Sequence, residues 1–287
     1  MKKIIKSEYK IKLDFERNTE NPSRLFRSFS EMIDGLNNLD IVIAQCVNST
    51  VESKIYLDDI EKGSILGKFW NELVINQDGQ IDDIVGVDKI EEFIEDSRIA
   101  SLQFIADNKS TVKDLEGLKE TISEIAKKVE LIDKFNFAEP DIINLAKSIN
   151  KVNNATKGLT AKESFSLASK NKEVKEIGAG TPEINIEAVE EALTENTYQN
   201  IITRIYKIKK PDFLGDSAWV FKFGPSTLNV KILHEVWLEK FQNGEVIVLP
   251  GDSLKVSVRQ TSKYNINGYL ISDKLEIIEV LDVIHNH

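Results

Sequence analysis

The stretch that decides the fold of the C-terminal region is Pro250-Gly251-Asp252-Ser253-Leu254-Lys255-Val256-Ser257-Val258. Its first three residues form a turn sequence, because proline and glycine supply the backbone angles that tight turns require. Leu254, Val256 and Val258 then alternate with polar residues, as in a strand that buries one face. The pattern recurs in many small β-barrels. It therefore predicts a fold and leaves the function open.

Short alternating segments of this kind fill residues 198–287. Turn sequences separate them, including Gly224-Pro225-Ser226, Asn243-Gly244 and Asn267-Gly268. One short helix is predicted over residues 234–241. Many short strands with frequent turns predict a β-rich domain over residues 198–287, folded as a small β-barrel or sandwich.

Residues 153–197 differ from the segments on either side. They are rich in Asn, Lys, Ser, Gly and Ala and include Gly178-Ala179-Gly180-Thr181-Pro182. This composition predicts a linker with short helices, one of them over about 184–193. The chain is accordingly divided into an α+β and helical domain at 1–152, a linker at 153–197 and a β-rich domain at 198–287.

The N-terminal region opens with a strand over residues 8–15, where Tyr9 and Leu13 share one face. Asn21-Pro22 then begins an amphipathic helix. Residues 50–57 alternate again, and a second helix is predicted after Gly63-Ser64. The expected arrangement is an N-terminal β-α-β-α unit. With the C-terminal strands it places the chain in the α+β class.

The middle of the chain is predicted to be helical, with a helical hairpin formed by residues 88–108 and 111–135. In the second helix, apolar residues recur at alternating steps of three and four, as they do along a coiled-coil seam. The seam has two interpretations. It is a surface for a protein partner or a homo-oligomer, or it is the core of an intramolecular hairpin. The candidate partner-binding residues are Leu115, Leu118, Ile122, Ile125 and Val129.

The composition argues against several classes of chemistry. The 287 residues include one cysteine, Cys46, and three histidines, and His285 and His287 lie in a terminus of the kind that commonly frays. Thiol catalysis and His-rich metal sites are therefore not expected, and no cofactor is predicted apart from a divalent cation. The net charge of −10 argues against nucleic-acid binding, which depends on neutralising phosphates. No apolar segment is long enough to cross a membrane, which favours a cytoplasmic location.

One acidic segment is the candidate metal site. Asp58, Asp59 and Glu61 follow a predicted strand and precede Gly63-Ser64. Carboxylates are the ligands that Mg²⁺ prefers, so these three residues would hold a divalent cation. The alternative is that they are first-turn acids that stabilise the positive end of a helix dipole.

Aromatic residues concentrate in the C-terminal domain and give a second candidate site. Trp219, Trp237 and Arg259 would line a pocket for a small ligand, because such pockets combine apolar walls with a few polar anchors. The alternative is that the aromatic residues belong to the core of the domain.

Three stretches together resemble a family of uncharacterised bacterial proteins. They are Leu57-Asp58-Asp59-Ile60-Glu61-Lys62-Gly63-Ser64-Ile65, then Lys210-Pro211-Asp212-Phe213-Leu214-Gly215-Asp216-Ser217-Ala218-Trp219, then Trp237-Leu238-Glu239-Lys240-Phe241-Gln242 with Pro250-Gly251-Asp252-Ser253-Leu254. The resemblance covers both ends of the chain and omits the helical middle. It implies an association with mobile elements or phage defence, and no catalytic residue.

The leading hypothesis from the sequence is a non-enzymatic cytoplasmic adaptor or sensor that acts through protein–protein contacts. Two alternatives remain open. One is a metal-dependent nuclease or hydrolase that uses Asp58, Asp59 and Glu61. The other is a small-ligand sensor with its pocket in the C-terminal domain.

Overall fold

The structure, a computed structural model, describes residues 2–16, 19–47, 51–60, 65–76, 87–132, 137–169 and 172–285. The chain forms two compact units, Met1–Val189 and Glu190–His287. The predicted α+β class is confirmed, as is the small β-barrel at the C-terminal end. Within the described ranges, no helix combines the length and apolar character needed to span a membrane.

A five-stranded sheet forms the base of the first unit. Its spatial order is β2-β3-β1-β4-β5, and each neighbouring pair is antiparallel. The strands are β1 (Lys2–Asp14), β2 (Val51–Ile60), β3 (Ile65–Asn76), β4 (Ser164–Ser169) and β5 (Lys172–Gly178). Strand β1 is central, and it buries Ile5, Tyr9, Ile11 and Leu13 on one face while Lys6, Glu8 and Lys10 are exposed on the other.

Helices cover the apolar residues of this sheet. They are α1 (Ser23–Gln45), α2 (Val87–Ala106), α3 (Val112–Lys128) and α4 (Ile142–Thr156). Helices α1 and α2 contact the sheet, and α4 packs along α1. The predicted hairpin corresponds to α2 and α3, and α3 begins with a capping box in which Thr111 and Asp114 bind each other's backbone N–H groups.

The helix predicted after Gly63-Ser64 is a strand. Residues Ile65–Asn76 form β3, which lies between β2 and β1. Its apolar residues recur at steps of three and four, which suggested a helix, but the buried positions Gly67, Phe69 and Leu73 also fit the period of two of a strand. The N-terminal order is thus β-α-β-β-α. The segment folds as a strand because β3 pairs with a neighbouring strand on each side.

The predicted linker at 153–197 also differs from the structure. Strands β4 and β5 lie within it and complete the first sheet, with Leu13 opposite Phe165. The boundary between the two units lies at Val189, inside α5 (Ile186–Leu193), which matches the helix predicted near residue 184. Glu163, the residue before β4, is buried and forms an ion pair with Arg24 of α1. Arg24 Nη1 lies 2.5 Å from Glu163 Oε2, and Nη2 lies 2.7 Å from Oε1. The hydrogen bond from Arg24 lowers the pKa of Glu163 to about 2.

A buried polar network links the helices to the sheet in the first unit. Arg98 of α2 donates from Nε to Asp40 Oδ1 at 2.6 Å and from Nη2 to Asp40 Oδ2 at 2.9 Å. Nη2 also lies 2.8 Å from Ser7 Oγ, and the guanidinium stacks on Tyr9 at 4.7 Å. Asn71 of β3 donates to Asp40 at 2.8 Å. The ion pair between Arg98 and Asp40 holds α1 and α2 against β1 and β3. Each buried charge is stable only beside the other, because removing a single charge from water is costly.

The second unit is a closed five-stranded barrel with the order β10-β8-β7-β6-β9. Its elements are β6 (Asn196–Lys210), β7 (Trp219–Phe223), β8 (Ser226–Ile232), α6 (Glu235–Gln242), β9 (Ser253–Tyr264) and β10 (Leu270–Ile284). Strands β8 and β10 are parallel, and the other neighbours are antiparallel. This order, with a helix between the third and fourth strands, is the topology of the OB-fold, a five-stranded Greek-key barrel.

Candidate functional site

The acidic residues predicted to bind metal do not form a cluster in the described part of the chain. Asp58 and Asp59 lie on β2 and are exposed, and a β-bulge interrupts the pairing between Leu57 and Asp59. Asp59 Oδ2 lies 3.5 Å from Lys68 Nζ. Glu61 is outside the described residues. The described ranges hold no group of three His, Cys, Asp or Glu side chains that would bind a metal ion.

The seam on α3 lies in the core of the first unit. Leu115, Leu118, Ile122 and Val129 are buried, and Ile125 is half-buried. Helices α2 and α4 both contact α3. The partner-binding interpretation of the seam therefore lacks an exposed surface, and the intramolecular hairpin is the arrangement found.

The three residues proposed to line a ligand pocket are not brought together. Trp219 and Trp237 are buried in the barrel core with their ring centroids 5.9 Å apart. Arg259 lies on β9 and forms an ion pair with Glu276 of β10 at 2.8 Å. The aromatic residues of the barrel are thus mainly core, the alternative that the sequence also allowed.

Two histidines of the second unit, His234 and His285, make hydrogen bonds. His285 Nδ1 lies 2.8 Å from Oδ2 of Asp252, a buried carboxylate that also accepts the Leu249 backbone N–H at 2.8 Å. His234 Nδ1 accepts the backbone N–H of Val280 at 3.1 Å. Both contacts hold β10 against the rest of the barrel, which is a structural role.

A different surface, the free edge of β6, stands out as the candidate functional site. Strand β6 pairs with β9 from Asn196 to Lys207 without a shift in register. On its other side, β7 pairs only with residues from Lys207 onward. Among the described strands none lies beside residues 196–206 on that side. We call residues 196–206 the β6 edge.

The direction of the backbone groups on the β6 edge follows from one hydrogen bond. Ile208 donates its backbone N–H to Asp252 O of the neighbouring β9 chain segment at 2.9 Å. Successive residues of an antiparallel strand point their N–H and C=O groups to opposite sides. Even-numbered residues therefore bond to β9. The backbone groups that face the open side belong to Thr197, Gln199, Ile201, Thr203 and Ile205.

The side chains of the β6 edge are apolar or neutral and largely in solvent. Tyr198 is 60% exposed, Ile201 68% and Ile205 52%. Arg204 is the only charged residue of the edge, and the edge contains neither proline nor glycine. Native sheets usually protect such an edge with charge, proline or a bulge. The absence of this protection was the signal in the sequence that would have identified the site.

An exposed apolar surface continues from the β6 edge to the hairpin between β9 and β10. Tyr198 meets Tyr264 edge-to-face at 5.7 Å. Beyond them, Ile266 is exposed, as are Tyr269 and Leu270. Contiguous exposed apolar residues of this kind are typical of surfaces that bind other proteins. No protein-family model, curated protein or solved structure matches the chain.

Proposed function

We propose that the chain is a non-enzymatic cytoplasmic adaptor that acts through protein–protein contacts and accepts an extended strand on the β6 edge. The observation that carries this proposal is the row of outward N–H and C=O groups from Thr197 to Ile205, beside which no described strand lies. Strand addition uses such groups for affinity and the alternating side chains for specificity. The setting that we propose is the one implied by the sequence resemblance, a bacterial defence or mobile-element system.

Nucleic-acid binding is the alternative that the barrel topology suggests, since OB-folds commonly bind oligonucleotides on their second and third strands. Binding of single strands depends on aromatic side chains that stack with bases. In this barrel, Trp219 and Phe221 of β7 are buried, and the outward positions of β7 and β8 include Val220, Lys222 and Asn229. Phe223 is the one exposed aromatic side chain of these two strands. A single ring offers little on which successive bases could stack, which favours a protein partner.

The proposal is tested with peptides. We expect random displayed peptides with alternating β-branched or aromatic residues to be enriched on the purified chain. Thr203→Pro removes an outward N–H and leaves the β9 ladder intact, so it should abolish binding. Thr203→Ala keeps that N–H and should bind like the unmodified chain. Circular dichroism checks that both variants are folded. Equal binding by Thr203→Pro and the unmodified chain would contradict the proposal, as would a chain that is monomeric in sedimentation velocity and enriches no peptide.

A further inference from the structure

We infer that the strand that occupies the β6 edge is the β6 edge of a second copy of this chain, antiparallel and related by a two-fold axis at Ile201. The inference rests on the proposed function, because it names the partner of the same edge. Pairing of identical edges about a two-fold axis gives a closed dimer with the same surface used on both sides.

The backbone selects the position of the axis. The outward groups run from Thr197 to Ile205, and Ile201 is the midpoint of that series. An axis at Ile201 places Thr197 opposite Ile205 of the second copy, Gln199 opposite Thr203, and Ile201 opposite Ile201. Every outward N–H and C=O of both edges then has a partner. A shifted two-fold axis leaves groups unpaired at both ends of the edge.

The side chains fit the same register. On the outer face, Ile201 meets its own copy, which joins the two exposed isoleucines at the centre. On the inner face, Arg204 lies opposite Tyr198 of the second copy, and Asn200 lies opposite Ile202. The one charge of the edge thus meets an aromatic ring and not another arginine, an arrangement that favours pairing.

The composition of the edge also requires that something cover it. Residues 196–206 combine β-branched and aromatic residues with a single charge and no proline or glycine. Such a segment would promote uncontrolled association if it remained free. A two-fold dimer pairs the β6 edge along its whole length and leaves no part of that edge to which a third copy could add.

Cysteine crosslinking tests the register. In a hydrogen-bonded antiparallel pair the Cα atoms lie about 5.5 Å apart, a separation suited to a disulfide. Ile201→Cys should therefore give a covalent dimer under mild oxidation. The matched control is Thr203→Cys, whose two copies would be offset by about 14 Å along the strands at about 3.4 Å per residue, so it should remain uncrosslinked. Native Cys46 is buried, and burial raises its pKa to about 12, so its thiol does not compete.

A charge swap tests the same contact without a covalent crosslink. Ile201→Lys and Ile201→Glu each place like charges opposite one another, so sedimentation velocity should show monomers. An equimolar mixture should recover the dimer, because lysine then faces glutamate. Circular dichroism confirms that each variant is folded.

The outcomes separate this inference from the proposed function. A dimer of the unmodified chain, crosslinked through Ile201→Cys and restored by the charge swap, supports the inference. A monomeric unmodified chain that still binds peptides in a Thr203→Pro-sensitive manner overturns self-pairing and leaves the adaptor proposal standing. A dimer that persists in Ile201→Lys and Thr203→Pro overturns the inference, because its interface lies elsewhere.

Discussion

Arg98 and Asp40 are fully buried in the first unit, and each is stable there because the other neutralises it. The sequence contains a signal for Arg98, which lies one helical turn after Ile94 and one before Leu102, both buried. Helical periodicity identifies the buried stripe that contains Ile94 and Leu102, but a charged residue at a position within the stripe is interpreted as a break in it. Asp40 gives no such signal, because only the fold brings it beside Arg98. The ion pair was therefore outside the reach of pattern analysis.

This pair yields a prediction for stability. Asp40→Ala leaves the guanidinium of Arg98 buried without its counter-charge, so the free energy of unfolding should fall by about 3–5 kcal/mol. Glu16→Ala is the control, because it breaks the exposed pair between Lys162 and Glu16 and should cost less than about 1 kcal/mol. Urea denaturation measures both. Equal losses in the two variants would show that burial does not decide the strength of these pairs.

At the scale of elements, the sequence predicts that a helix or strand exists better than it predicts which strands pair with each other. Helices α1 to α4 and the short strands of the barrel follow from periodicity and turn residues. The sequence predicts a helix at β3 because the spacing of its apolar residues fits both periods. Strands β4 and β5 lie in the predicted linker because each is short, and β4 pairs with β1, which is distant in the sequence. The β6 edge is visible in the sequence only as a segment with one charge and no proline or glycine, because its free side depends on which strands do not pair.

Two helical glycines give a prediction at this scale. A Cβ added at Gly35 of α1 would lie 3.0 Å from the backbone and side chain of Val152 in α4, whereas one at Gly117 of α3 meets no atom within 4 Å. Gly117→Ala should raise the free energy of unfolding by roughly 0.5–1 kcal/mol, because alanine favours the helix. Gly35→Ala should lower it by about 1–3 kcal/mol through overpacking.

Chemical denaturation of both glycine variants provides the measurement, with circular dichroism as the signal. The two substitutions are chemically identical and both lie inside helices, so propensity alone would shift them in the same direction. Opposite signs are expected because only Gly35 packs against another helix. Stabilisation by Gly35→Ala would mean that α1 and α4 do not approach as closely as described.

At the scale of the whole molecule, the chain consists of two units with separate cores. The first buries a sheet beneath helices, and the second closes a barrel around Trp219, Phe221 and their neighbours. The sequence predicts the α+β class and the C-terminal barrel correctly, but it places a linker where the first unit ends. The composition predicts a flexible connection because Gly178-Ala179-Gly180 is rich in glycine, although Gly178 is the last residue of β5.

Separate cores predict separate unfolding. Leu102→Ala in the first unit and Leu254→Ala in the second each empty a fully buried site and should cost about 2–5 kcal/mol. Scanning calorimetry should show two transitions, one shifted by each variant. A single transition moved equally by both substitutions would mean that the units unfold as one cooperative body.

The position of β4 also has a consequence for how the protein is made. Strand β1 is translated before the four helices of the first unit, yet one of its two neighbours is β4, which is translated after them. The nascent sheet therefore exposes an apolar strand throughout most of the synthesis of the first unit. Long-range pairing of this kind slows folding and leaves the growing chain prone to aggregation. Chaperone binding during translation would be directed to this part of the molecule.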